Sequence, residues 1–349
     1  MDTLTHALSG ALIARATVRP APGRDALPLG RRLFVGFFAG AFPDIDFVTS
    51  YLSPLSYLYH HRGITHSILL IPLWAALIAV IFAALWRFRP GWRAYFGVAT
   101  WGISAHIAGD WITNFGTILF APFSDARFAL STTFIIDLWF TAIILLGLLA
   151  SLVWKDSRKP ALAGLAVLAA YVGFQWVLQQ QAIDFGERYA RGARLRGAVV
   201  TAMPRPVMPF NWTVIVAEDS RYHYAHVNLV RKEPRPKPTA ETHFVARLDA
   251  PYRPLDQALW LRAERYGARG DAAEARAAYE HSAFRFFRWF AAYPVLYRND
   301  RAERCVWFQD LRFVTPGRDT TPFRYGMCRE RDNEWRPFQL LGGARLPVY

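Results

Sequence analysis

Nine ionisable side chains stand inside or at the ends of apolar runs in the N-terminal half: His6, Asp44, Asp46, His60, His61, His66, His106, Asp110 and Asp137. A carboxylate or imidazole at membrane depth is costly and is retained facing a partner, a bundle interior or a watery cavity. Any one of them alone reads most simply as a packing residue with a satisfied hydrogen bond. His106 and Asp110 are four apart, so on a helix they stack on one face and can hold a single ion. Asp44 and Asp46, in FPDID, follow a proline at the end of an apolar run, where extended backbone could aim both at one site or at a second ion. His61 and His66, in HHRGITHS, flank the start of the next helix, with Gly63 permitting a turn and Thr65 or Ser67 available as caps. Arg62 between them could neutralise a substrate phosphate with its forked guanidinium, or anchor the chain at a membrane interface.

Mixed carboxylate and imidazole ligation suits a divalent transition metal, zinc first, with manganese or iron as alternatives. Four or five such groups suffice for one ion, and the full set suggests two ions or one ion with an outer layer of partners. The two cysteines, Cys305 and Cys328, stand far from these residues and in no CxxC spacing, which argues against a thiolate site. They could form one disulfide if their region faces an oxidising compartment. A centre of this composition lowers the pKa of bound water and polarises an ester or phosphoryl oxygen, and paired ions clamp the attacking and leaving oxygens.

The elements that must position these groups are apolar runs near the length needed to cross a bilayer. They cover Leu33 to Val48, Ile64 to Trp86, Tyr95 to Ala121 and Phe134 to Trp154, with a fifth at Ala161 to Leu178 and a shorter opening helix over Leu4 to Val18. Basic residues gather in three connections: Arg15, Arg19, Arg24, Arg31 and Arg32; then Arg87, Arg89 and Arg93; then Lys155, Arg158 and Lys159. The positive-inside rule puts these connections in the cytoplasm, and so puts the ends near His6, Asp46, His66 and Asp137, and the region after Leu178, on the opposite face. The start, MDTLTHA, lacks a signal-peptide pattern, so insertion is expected to rely on the spans themselves.

Residues 181–349 read as a soluble α+β domain. NWTVIVAEDSRYHYAHVNLV alternates as a hairpin does, Leu255 to about Tyr293 is helix-prone, and CVWFQDLRFV and FRYGMC suggest closing strands. His223 and His226 are three apart in an alternating stretch and would point to opposite sheet faces, so with His243 and His281 they read as surface residues. The expected fold is mainly α, a polytopic helical membrane bundle of about four to six helices over residues 1–180 with the soluble domain on the face that carries the site. The net charge of +14 is shared: residues 1–180 carry 13 Lys+Arg against 8 Asp+Glu, and residues 181–349 carry 28 against 19. Such a balance suits anionic headgroups or phosphorylated substrates, while no nucleic-acid motif accompanies it.

THALSGALIARA, FPDIDF, HRGITHS and HIAGDWITNFG resemble the motifs of the YdjM-like family of inner-membrane proteins described as metal-dependent hydrolases, over roughly residues 1–155. The resemblance implies a metal and catalytic set of His6, Asp44, Asp46, His61, His66, His106 and Asp110, with Asp137 in FIIDLWF as a further candidate and His60 left out. By analogy only, the arrangement is similar to helical zinc phosphodiesterases of the phospholipase C type. On this reading His66, His106, Asp110, Asp44 and Asp46 bind metal, His6 and His61 bind metal or shuttle protons, and Asp137 orients a partner or acts as base. The expected function is an inner-membrane hydrolase that cleaves an ester or phosphoester, with membrane lipids as partners and a lipid or lipid-linked substrate, and with its C-terminal domain in the periplasm. The rivals are a transporter or proton-coupled channel, against which no inverted repeat is evident, and a non-catalytic binding protein whose metal staples the helices.

Overall fold

A computed structural model of the chain describes residues 1–18, 27–268, 270–318 and 320–348. Arg19 and Arg24 of the first basic connection lie outside the described residues. The chain forms two compact units, Met1–Ser50 with Tyr59–Trp176, and Tyr51–Leu58 with Val177–Tyr349.

The first unit is helical. It contains α1 (Thr3–Ala16), α2 (Leu29–Ala41) continued by a 3-10 segment Phe42–Tyr51, the end of α3 (Pro54–His60), α4 (Ile71–Leu85), α5 (Arg93–Trp111), α6 (Leu138–Val153) and the first half of α7 (Lys159–Gly192). Asp2 starts α1 by accepting the Thr5 amide at 3.0 Å, the ordinary chemistry of an N-cap. Among the described residues three helices are long and apolar enough to cross a membrane, Leu29–Tyr51, Ile68–Leu85 and Lys159–Gly192, and α6 is a shorter apolar helix.

The helices meet through small residues. A Cβ on Gly10 would lie 2.1 Å from the Gly36 carbonyl oxygen, and one on Gly40 would lie 2.5 Å from the His6 carbonyl oxygen, so α1 and α2 touch backbone to backbone. Gly102 brings α5 into the same contact, where a Cβ would meet Ala39 Cβ at 2.7 Å and Gly40 N at 3.1 Å. Where lipid surrounds the helices the hydrophobic effect gives them no reason to associate, so close packing of this kind carries the association. Ala14, Ala39, Ala75, Ala79, Ala83 and Ala99 line the same core with Val35, Ile78 and Ile103.

The apolar run over Tyr95 to Ala121 is not one helix. The α5 helix stops at Trp111, and residues 112–133 fold back on the HRGITHS segment: Ile118 N donates to Arg62 O at 2.9 Å, Ile68 N to Leu119 O at 3.0 Å and Leu130 N to Trp111 O at 2.8 Å. Gly116, at φ 92°, takes the left-handed turn that reverses the chain.

The second unit carries two antiparallel sheets. The first has the order β1 (Val199–Pro204), β2 (Asn211–Glu218), β3 (Arg221–Asn228), then, after the short helix α8 (Phe244–Asp249), β4 (Leu261–Glu264). The helices α9 (Ala272–Glu280) and α10 (Arg285–Phe290) follow, and the second sheet is the meander β5 (Pro294–Asp300), β6 (Cys305–Asp310), β7 (Tyr325–Arg329), β8 (Trp335–Leu341) and β9 (Ala344–Pro347). The hairpin expected over residues 211–230 is β2–β3, whereas the helix-prone stretch after Leu255 is broken by β4 into short helices. Cys305 and Cys328 sit opposite one another on β6 and β7 and are joined as a disulfide. His223 and His226 are not surface residues: His223 Nδ1 bonds the Tyr189 hydroxyl at 2.8 Å and His226 Nδ1 bonds Thr213 Oγ1 at 2.8 Å. Burial, with Arg205 adding a smaller repulsion, pushes His226 down to about 3.

The contact between α1 and α2 leaves no room for a side chain. Gly10→Val should therefore destabilise the helical unit by roughly 3 kcal/mol or more through overpacking. Thermal unfolding in detergent, with Gly97→Ala as control because its Cβ would meet nothing within 4 Å, checks this, and equal midpoints for the two variants would refute it.

Candidate metal centre

Three segments meet at one end of the helical unit. Asp44 stands in the 3-10 continuation of α2, His66 closes the short 3-10 turn Ile64–His66, and His106 and Asp110 lie one turn apart on α5. Each offers one donor atom, and the four atoms lie within 4.8 Å of one another. His66 Nε2 is 3.0 Å from His106 Nε2, 3.1 Å from Asp110 Oδ2 and 3.8 Å from Asp44 Oδ1. His106 Nε2 is 3.5 Å from Asp44 Oδ1 and 3.6 Å from Asp110 Oδ2. Ligands at zinc bond lengths in a tetrahedron are separated by about 3.3 Å, so these separations fit one ion.

Hydrogen-bond partners decide what the four atoms are. His106 Nδ1 lies 2.6 Å from the Gly40 carbonyl oxygen, an acceptor, so that nitrogen carries the proton. His66 Nδ1 lies 3.0 Å from Thr65 Oγ1 and 3.3 Å from Asp46 Oδ2, and the carboxylate draws the proton to that nitrogen. Both Nε2 atoms then present lone pairs, to one another and to two carboxylate oxygens. Asp110 Oδ2 is buried with no hydrogen-bond partner. Convergent lone pairs at this spacing repel unless a cation stands among them, and the donor set suits a divalent transition metal.

The remaining expected residues pack behind these four rather than among them. Asp46 turns one oxygen to His61 Nδ1 at 2.9 Å and the other to the Arg62 amide at 2.9 Å and to Thr65 Oγ1 at 3.3 Å. His6 stacks on His106 with ring centroids 3.7 Å apart and reaches Asp110 Oδ1 at 2.9 Å. Arg62 is buried, with Nη2 2.9 Å from the same oxygen and Nη1 2.8 Å from Thr113 Oγ1. The Met1 amino group also contacts Asp110 Oδ1. Asp110 thus faces the four-donor group with one oxygen and positive or donor groups with the other. Arg62 lies 2% exposed and is committed to Asp110, a different job from the substrate clamp its type suggested.

Asp137 is placed elsewhere. It caps α6, taking the Trp139 and Phe140 amides at 3.0 Å on Oδ1, and its Oδ2 accepts from Tyr171 at 2.9 Å and Gln175 at 2.8 Å. Sequence reasoning missed Thr3, whose hydroxyl donates to Asp44 Oδ2 at 2.6 Å, and Thr113. Their signals were local: Thr3 precedes His6 by three residues in MDTLTHA and Thr113 follows Asp110 by three. Among the described residues this is the one group of three or more such side chains able to hold an ion.

A family model described as YdjM inner membrane protein matches residues 1–182, more than half of the chain. A protein of Bacillus subtilis (strain 168) described as uncharacterized protein YfhP is 30% identical over 182 residues, which is 51% of this chain and 53% of that protein. The chain spans about half the length of that curated relative. No solved structure matches.

The geometry separates donors from their supports. Asp110→Asn should abolish binding of one zinc equivalent, whereas Asp46→Asn should keep the stoichiometry and weaken affinity about 10- to 100-fold, the usual effect of losing a carboxylate behind a metal-bound histidine. Elemental analysis after chelator competition reads both, and an Asp110→Asn protein that holds metal as tightly as the parent would refute the assignment.

Proposed function

The chain belongs to the YdjM inner membrane protein family, and on that premise we propose that it is a multi-pass membrane metallohydrolase acting on an ester or phosphoester of a lipid or lipid-linked substrate. The observation that carries the reading is the group of four mutually facing donor atoms at Asp44, His66, His106 and Asp110. These residues would hold one divalent ion, zinc first, with manganese or iron able to use the same donors and to keep further positions for water or substrate. When bound, such an ion supplies a water of lowered pKa and polarises the scissile carbonyl or phosphoryl oxygen.

The chain's own residues divide the remaining work. Asp46 orients His61 through the 2.9 Å contact to Nδ1, a carboxylate–imidazole pair suited to taking a proton from water and returning it to the leaving group. His61 is partly exposed, unlike His6, which is buried against Asp110 and His106. Arg62 and His6 hold the Asp110 carboxylate in place from its far oxygen. Asp137, with its oxygens committed to the α6 amides, Tyr171 and Gln175, is left out of the chemistry.

Substrate reaches this group from the side of Asp44, the most exposed of the four at 13%, the other three being 0% exposed. Thr3, on the far oxygen of Asp44, and Asp44 itself are followed in the chain by Leu4 and Ile45, which are 61% and 49% exposed. An apolar rim beside the open ligand suits a substrate with acyl chains better than a small polar ester. The basic residues Arg15, Arg31, Arg32, Arg87, Arg89, Arg93, Lys155, Arg158 and Lys159 favour a cytoplasmic position for the opposite helix ends, which leaves the site on the periplasmic face. The Cys305–Cys328 disulfide supports the same side for the C-terminal unit.

Purified protein loaded with zinc should hydrolyse a phosphodiester or an acyl ester presented in mixed micelles, and lose that turnover on chelation. His61→Ala should cut kcat by about 10²- to 10⁴-fold, the contribution of a positioned proton-transfer group, with metal content unchanged. Metal-loaded protein inert toward both bond types, or a His61→Ala protein with parental kcat, would overturn the reading. Metal loss that lowered only the melting temperature would favour the stapled binding protein instead.

A further inference from the structure

Far from the metal centre, α6 and α7 part into an apolar groove of about 610 Å³. Gly147 and Gly164 form part of its lining, and a Cβ on Gly147 would lie 3.3 Å from Gly164 Cα. Its walls include Ile143, Leu146 and Val167, and Trp154 and Lys159 line one end. Lys159 is exposed and makes no ion pair among the described residues. Eleven residue steps, from Ile143 in α6 to its C-cap Trp154, set the length of the groove, about 16 Å at the helical rise per residue, near that of an extended acyl chain.

Both walls are membrane helices by length and composition, α7 as a candidate span and α6 as a shorter apolar helix. An occupant is therefore a lipid chain or a helix from a second copy. The charge at the end of the groove decides between them. The Lys159 ammonium matches the phosphate of a phospholipid with a net negative headgroup, and Trp154 stands beside it at the headgroup level where tryptophans concentrate. We propose that the α6–α7 groove binds one anionic phospholipid, its acyl chain along Gly147 and Gly164 and its headgroup on Lys159. This lipid sits at the helix ends opposite Asp137, so it is a bound companion of the fold and not the substrate of the metal centre.

The test uses the full chain in detergent, stripped of lipid and titrated with phosphatidylglycerol or phosphatidylcholine of identical acyl chains, with native mass spectrometry as readout. One phosphatidylglycerol should bind at least about fivefold more tightly than phosphatidylcholine, the preference one lysine confers near a headgroup plane. Lys159→Gln should erase the preference, and Ala163→Phe, which fills the groove from an exposed position, should weaken both lipids more than tenfold. Each variant should keep the parental metal content, which also reports that it folds. Equal binding of the two lipids, a preference that survives Lys159→Gln, or a dimer lost in Ala163→Phe with no lipid bound would each overturn the proposal. A protein that hydrolyses nothing but shows this preference would leave the groove assignment standing, so the two readings fail separately.

Discussion

The arrangement depends on backbone contact between α1, α2 and α5 at Gly10, Gly36, Gly40 and Gly102. Three of these contact glycines stand one helical turn from a site residue: His6 precedes Gly10 by four, Asp44 follows Gly40 by four and His106 follows Gly102 by four. A contact that fixes the helices at the glycines therefore fixes the side chains one turn on, because residues four apart lie on one face. The Gly40 carbonyl links contact to chemistry directly, since its oxygen receives the His106 Nδ1 proton and so leaves Nε2 as the donor. Any side chain that pushed α2 from α1 by an ångström would move Asp44 away from His66 and His106 by a similar amount, and a ligand set tolerates little such displacement.

Burying three carboxylates in this small volume would be strongly unfavourable without compensation. Each is compensated differently. Asp110 has Arg62, His6 and the Met1 amino group on one oxygen, Asp46 has the Arg62 amide, Thr65 and His61, and Asp44 has Thr3 and partial contact with solvent. Arg62 contributes twice, its guanidinium to Asp110 and its amide to Asp46. To do so it adopts φ 60°, a left-handed conformation that costs a non-glycine residue about 1 kcal/mol or more. The Ile118 amide on its carbonyl and Phe115 against its guanidinium, 5.0 Å from the ring centroid, hold it there. Strain of this sort at a buried arginine fits a position whose geometry is over-determined by what surrounds it.

Much of this was legible in the sequence, and the parts that were not have physical reasons. The four-residue spacing of His106 and Asp110 and the clustering of histidines and aspartates at like ends of apolar runs were readable, because cost at membrane depth marks such residues. The division of labour between Asp44 and Asp46 was not. FPDID reads as extended, which would send both side chains to one side, but it continues α2 as a 3-10 helix, where residues two apart point in different directions, and only Asp44 faces the other donors. The end of α5 was hidden for another reason. Ile112 to Ala121 is apolar because it packs over the HRGITHS loop, and composition alone cannot separate that role from one more turn of a spanning helix. Asp137 shared the sequence context of the site but serves as a helix cap, a use that the neighbouring Leu-Trp-Phe allows and that needs the partners Tyr171 and Gln175 from α7 to be seen.

Four protein donors around one ion is also what a purely structural site looks like, since catalytic zinc sites keep a position open. Asymmetry within that donor set is what separates chemistry from stapling. Three of the donors are sealed from solvent and one, Asp44, is not. A staple has no need of an open side, and opening one costs it rigidity at the place where the helices meet. His61 is partly exposed as well, and its ring is already oriented by Asp46, itself hydrogen-bonded to the loop that carries His66. A group that has an accessible ligand, a proton carrier held by a carboxylate, and an apolar rim at Leu4 and Ile45 combines features that helix stapling leaves without a purpose and hydrolysis at a membrane surface would use.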